Sequence, residues 1–305
     1  MALGDLYEAT AGDSTDLYYV DTEMYDTPEY GSIYILDAER PALVDTGIGL
    51  RWETIVDAMA EVGIEPEELE VIAPTHVHLD HAGGAGYLAE ACPNADVYIH
   101  EAGAEHLANP ERLWEGTKSA VESQIEYYGE PKSIPEERIT ALTDGDTIDL
   151  GDHQLDVHYA PGHAPHQAVY YDPVCDGVFT ADAAGICTPA TDGVRQTSPP
   201  PTFDLPQVLA DVEMLQELDP SALYYGHFGD WEADDRLAEY AAVTKEWVAE
   251  VEQVRERLDD DEAVIEHFQE STDATEVWGE RKGRDEERLN VRGVLTYLDH
   301  RDGET

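Results

Sequence analysis

The stretch Ala73-Pro74-Thr75-His76-Val77-His78-Leu79-Asp80-His81-Ala82-Gly83-Gly84 constrains this chain more than any other, because it sets three histidines and an aspartate within six residues. The apolar run Val71-Ile72-Ala73 just before it reads as a strand, so the donors leave a strand end. In an extended or turning loop His76 and His78 point the same way, while Asp80 and His81 reach a second point nearby. Neutral imidazole and carboxylate are ligands that zinc and iron prefer. Gly83, Gly84 and Gly86 let the loop pack tightly against the segment it feeds. The spacing H-x-H-x-D-H therefore predicts a metal site at the edge of a sheet.

From Asp16 to about Gly226 short β-branched or aromatic runs alternate with longer helical patterns. Strands are expected at 17–20, 32–36, 42–44, 71–73, 97–99, 139–142, 154–159, 168–171, 178–180 and 222–225. Helical periodicity covers 51–62, 205–218 and 231–258. Many strands with interspersed helices predict an α/β layered domain. Residues 103–137, polar and helical, read as an insertion that makes a lid or a substrate wall. Residues 230–305 read as helices separated by the acidic turn Asp259-Asp260-Asp261 and by a loop from Gly279 to Arg284, a small basic island with Arg281, Lys282 and Arg284. Ser198-Pro199-Pro200-Pro201 reads as a stiff loop, since proline fixes φ and lacks a donor. The stretch Leu289 to Leu298 is amphipathic and would cover the core or form a homodimer contact.

The 305 residues suffice for one large or two modest domains, and 42% hydrophobic residues are too many for a disordered chain. No apolar run reaches the roughly 18 residues needed to span a bilayer, and residues 1–13 lack the basic and apolar regions of a leader. Acidic residues number 68 against 17 basic, a net charge of −51 spread along the whole chain. Such a surface repels phosphate backbones and anionic membranes, so neither nucleic acid nor membrane is expected as a partner. At molar salt the Debye length falls to about 3 Å and the self-repulsion is screened, which fits the cytoplasm of a salt-accumulating halophile. Cys92, Cys175 and Cys187 form no C-x-x-C pair and are expected as reduced, buried residues.

Five motifs in order give the chain a resemblance to the metallo-β-lactamase-fold hydrolases, in particular their glyoxalase II and lactonase branch. They are Leu43-Val44-Asp45-Thr46-Gly47, the H-x-H-x-D-H loop, Ala160-Pro161-Gly162-His163-Ala164-Pro165-His166, Val178-Phe179-Thr180-Ala181-Asp182 and Tyr225-Gly226-His227. The resemblance implies an αβ/βα four-layer sandwich over residues 1–230, with a C-terminal helical extension over 231–305. It further implies that His76, His78 and His163 hold one metal, that Asp80, His81 and His227 hold the other, and that Asp182 bridges both. Two Zn2+ ions are expected, with one or two iron ions as the alternative. Paired divalent ions lower the pKa of a shared water enough to supply a hydroxide nucleophile near neutral pH. Asp80 would also guide a proton to the leaving group, and Asp45 would orient ligands by hydrogen bonds. The third motif departs from the branch, with His166 where a second glycine is common.

These motifs point to a dinuclear metal hydrolase acting on a small-molecule ester, lactone or thioester. One rival is a mononuclear iron enzyme resembling the persulfide dioxygenases, which would need only His76, His163 and Asp182. Another is a phosphodiesterase or RNA-processing nuclease of the same superfamily, and a third is a binding protein that keeps the fold without catalysis. Around the metal, His166 either lines the pocket or caps the next strand. Tyr224 and Tyr225 are packing residues unless a phenol there, Tyr225 in particular, donates to an oxyanion in the pocket. His100, His106, His153, His158, His267 and His300 are expected to have no role at the site.

Overall fold

The computed structural model describes residues 3–191, 193–258 and 260–303. Two mixed β-sheets face each other, and helices cover both outer faces, giving four layers. The first sheet sets side by side β1 (Leu6–Glu8), β2 (Leu17–Asp21), β3 (Ser32–Leu36), β4 (Ala42–Val44), β5 (Val71–Ala73), β6 (Asp96–His100) and β7 (Ile139–Leu142). The second sets β8 (Thr147–Asp149), β9 (Gln154–Tyr159), β10 (Ala168–Asp172), β11 (Gly177–Ala181), β12 (Ala222–Tyr225) and β13 (Gly229–Glu232) in the same manner.

Period-two alternation divides each strand between two cores. In β3, Tyr34 and Leu36 point between the sheets, while Ile33 and Ile35 meet α1 (Trp52–Val62) and its neighbours. In β12, Ala222 and Tyr224 face the inter-sheet core, whereas Leu223 and Tyr225 face the outer helices. The first sheet's outer layer also includes α2 (Leu79–Ala82), α3 (Ala85–Ala91) and α4 (Glu101–Ala108), and α5 (Glu111–Val121) follows with its Leu113 packed against the same cluster. The second sheet is covered by α6 (Leu205–Leu218), α7 (Arg236–Leu258), α8 (Asp261–Ser271) and α9 (Ala274–Gly303). Residues of these four helices share one apolar cluster with Val178 and Leu223, so the core is continuous across residue 230.

Strand direction decides where the chemistry gathers. β4 and β5 run parallel. β11 and β12 run parallel, and β9, antiparallel to β10, points the same way as β11. The loops that leave the C-terminal ends of these five strands carry Asp45, the His76 to His81 segment, His163, Asp182 and His227.

Several expectations need correction. β1, β8 and β13 are short, charged strands without the apolar signature of the others. The helix expected from Trp231 begins at Arg236, because Trp231 lies in β13 opposite Leu223. No loop runs from Gly279 to Arg284: only Gly279 leaves helical geometry, at φ 81° and ψ 163°, and α9 continues through the basic residues. In the 103–137 insertion, helix ends at Val121, a 3-10 turn spans Glu122–Tyr127, and residues 128–135 are without helix. Of the acidic turn, Asp259 lies outside the described residues. Val291, Val294, Leu295 and Leu298 are buried within the chain itself, while Leu289 faces a cleft. The three cysteines are free and buried, and no described helix is long and apolar enough to cross a membrane.

Candidate metal centre

Each candidate donor is delivered by a strand end. β4 ends just before Asp45, whose φ of 62° is left-handed, and β11 ends at Ala181 with φ 48° just before Asp182. Left-handed backbone at non-glycine residues costs of order 1–3 kcal/mol and persists only where the surroundings enforce it. The loop after β5 bends through His76 and His78 and then winds into α2, which carries Asp80 and His81.

Two donor groups result. His76, His78, His163 and Asp182 offer atoms within 4.8 Å of one another, and Asp80, His81 and His227 do the same. In the first group His76 Nε2 and His163 Nε2 lie 3.0 and 3.1 Å from His78 Nδ1. Asp182 stands between the groups: its Oδ2 is 3.1 Å from His163 Nε2 and 3.9 Å from His76 Nε2, while its Oδ1 is 3.4 Å from His227 Nε2 and 3.6 Å from His81 Nε2.

The groups behind the donors hold them in place. Asp45 Oδ2 is 2.8 Å from His81 Nδ1, and Asp45 Oδ1 accepts from both the backbone N–H and the hydroxyl of Thr75, each at 2.8 Å. His227 Nδ1 donates to the Tyr30 carbonyl at 3.2 Å, and the Tyr30 ring lies 5.2 Å from the His227 ring. Gly226 is required by close approach: a Cβ there would sit 2.8 Å from His81 Cε1.

The arrangement fits metal ions. His81 Nε2 and Asp182 Oδ1 are buried without a hydrogen-bond partner, a costly state unless something else binds them. Burial pushes His78 and His163 down to about 4 and His76 well below its usual value, which keeps all three neutral, the form that ligates. Burial opposes charge on His81 as well, but the Asp45 and Asp182 carboxylates outweigh it and raise its pKa. Burial would raise Asp182, yet His163, His81 and His227 together hold it well below the carboxylate range.

A cleft of about 450 Å3 opens over this cluster, walled by α5, α9 and the Ser198–Pro201 loop. The profile of the metallo-beta-lactamase superfamily matches residues 26–227, well over half of the chain, and its span includes every donor named above. The chain belongs to the metallo-β-lactamase superfamily. The superfamily's members are mostly metal-dependent hydrolases. ST1585 of Sulfurisphaera tokodaii, a metallo-beta-lactamase fold-containing protein, is 25% identical over 66% of this chain and 74% of its own length. Its crystal structure superposes with a TM-score of 0.68 over 95% of this chain and 98% of that one, at 20% identity, a likeness of fold. The human acyl-coenzyme A thioesterase MBLAC2 is 28% identical over 54% of this chain and 62% of its own. An N-acyl homoserine lactonase of Bacillus thuringiensis is 26% identical over 64% and 79%.

Among the remaining expectations, His166 sits beside the donor cluster, its ring 5.1 Å from that of His78 and 6.0 Å from that of His76, with burial pushing it down to about 2. Tyr225 does not reach the pocket. As the last residue of β12 it points outward, fully buried beside the helical layer, and its hydroxyl has no partner. Tyr224 points the other way and bonds Ser14 Oγ at 2.8 Å. His153 pairs with Asp172 at 2.7 Å, and His106 lines the cleft.

The basic island divides. Arg281 and Arg284 pair with Glu126 and Glu280, but Lys282 is buried in the cleft wall. Its Nζ lies 2.6 Å from Glu286 Oε2 and 3.9 Å from the centre of the Tyr25 ring. Glu286 also accepts from the Tyr30 hydroxyl at 3.1 Å, so α9 is tied through Tyr30 to His227. Sequence reasoning missed Thr75, Tyr30, Lys282 and Glu286. Thr75 adjoins the histidine motif, and the i, i+4 spacing of Lys282 and Glu286 is a signal only once that segment is known to be helical.

Proposed function

We propose that this chain is a dinuclear zinc hydrolase of small esters, lactones or thioesters. Asp182 carries the reading: one carboxylate oxygen faces His76 and His163, and the other faces His81 and His227. In it, His76, His78 and His163 hold one ion, Asp80, His81 and His227 hold the second, and Asp182 serves both. Two divalent cations in such a donor set supply a water of lowered pKa and an electrophilic partner for a carbonyl oxygen. Asp45 fixes the His81 ring through Nδ1, and Tyr30 does the same for His227. Asp80, about a quarter exposed on the cleft floor, carries a proton to the departing alkoxide or thiolate. The thioesterase and lactonase relatives support acyl transfer to water as the reaction class. A one-ion iron centre at His76, His163 and Asp182 would leave His81 Nε2 and Asp182 Oδ1 buried and unused, which favours two ions.

The test is a panel of ester, lactone, thioester and phosphodiester substrates given to chelated and zinc-restored protein at high salt. Zinc-dependent turnover of an acyl substrate is expected, with His78→Ala losing at least ~100-fold in kcat/KM while its melting temperature stays near that of the parent. Hydrolysis that survives chelation, or turnover of the phosphodiester alone, would contradict the reading.

A further inference from the structure

On a molecule with 68 acidic and 17 basic residues, a cation that borders the cleft without an acidic partner is available to a ligand. Three basic residues line the cleft. Lys282 is bonded to Glu286, and Arg292 Nη1 lies 2.8 Å from Glu122 Oε1. Arg112 has neither a hydrogen bond nor an ion pair with a carboxylate among the described residues, and it is exposed where it borders the cleft. Its position gains nothing locally, because it occupies the first turn of α5, where the helix dipole disfavours a positive charge. The cleft that Arg112 shares with the metal cluster is also lined by the apolar Leu113, Val121, Ile186 and Leu289.

We propose that Arg112 is an anion subsite and that the substrate is an amphipathic anion. Its scissile carbonyl lies over the metal cluster, its apolar body fills the cleft, and an oxyanion, carboxylate or phosphate, at the far end meets the Arg112 guanidinium. The subsite deepens the hydrolase reading and rests on it for the placement of the carbonyl. A guanidinium offers parallel donors that match either oxyanion. The cavity of about 450 Å3 has room for a short acyl chain.

The experiment uses non-reacting amides, so that binding is read whether or not the protein hydrolyses anything. Hexanamide, adipic acid monoamide and a six-carbon amide ending in phosphate are titrated by calorimetry into the zinc-loaded protein at fixed high ionic strength. The same titrations are run on Arg112→Gln, Arg112→Lys and the remote Arg301→Gln. The proposal expects one or both anionic amides to bind about five- to tenfold more tightly than hexanamide. The better of the two identifies the oxyanion. The advantage should vanish in Arg112→Gln, return in part in Arg112→Lys and persist in Arg301→Gln. Equal binding of neutral and anionic amides would overturn the proposal. So would an anionic advantage that survives Arg112→Gln, since the oxyanion would then be held by the metal pair instead.

Discussion

At the scale of single residues, the site depends on groups that never touch substrate. Asp45 joins two loops, accepting from Thr75 in the histidine motif and holding the His81 ring. Asp45→Asn keeps the volume but replaces one acceptor oxygen with a donor, so His81 loses its orientation. Metal affinity at the Asp80, His81 and His227 group is expected to fall ~10–100-fold, with the His76, His78 and His163 group less affected. Competition against a chromophoric chelator measures both, and two unchanged affinities would contradict the role. The donors themselves are legible in the sequence, because His76, His78, Asp80 and His81 crowd six positions after an apolar run. Their partners are not: Tyr30 and Glu286 reach His227 only through folding, from positions 256 residues apart. Tyr225 escapes a sequence reading because adjacency to His227 says nothing about the face of the strand on which it lies.

At the scale of elements, strand ends are legible and helix continuity is not. Apolar runs bounded by turn residues mark the strands that carry the donors, whereas β1, β8 and β13 are only three or four residues long and hold too few apolar side chains to signal them. In α9 the cluster of glycine and charge resembles a loop, yet Lys282 and Glu286 lie on one helical face and neutralise each other in the cleft wall. Next to Glu286, Glu287 is buried, and burial, with Glu286 adding to it, pushes its carboxyl up to about 7, although it accepts from Thr272 Oγ1 at 2.6 Å. A folded-state pKa above the unfolded value of 4.5 means that the native protein binds more protons in between. This contribution is complete below about pH 4.5 and is lost as pH rises through about 7. Glu287→Gln should therefore flatten the stability profile over that range and leave the protein more stable at pH 8, by on the order of 2–3 kcal/mol. Denaturant titrations at constant salt from pH 4.5 to 8 check this, and parallel profiles for parent and variant would contradict it.

At the scale of the whole molecule, the fold brings together two opposed demands. The donor cluster needs a preorganised site at the strand ends, while the exterior carries a net charge of −51. That charge favours expansion at low ionic strength and is screened when the Debye length shrinks to about 3 Å near 1 M salt. The melting temperature is accordingly expected to rise by about ten degrees or more, on the order of a few kcal/mol, between roughly 0.1 and 2 M KCl. A melting temperature indifferent to salt would remove the case for a protein adapted to concentrated salt. The central claim, however, concerns the two donor groups on either side of Asp182. Elemental analysis of protein purified at high salt, without added metal or chelator, tests it most directly. The account predicts close to two zinc ions per chain, and about one iron per chain with little zinc would contradict it.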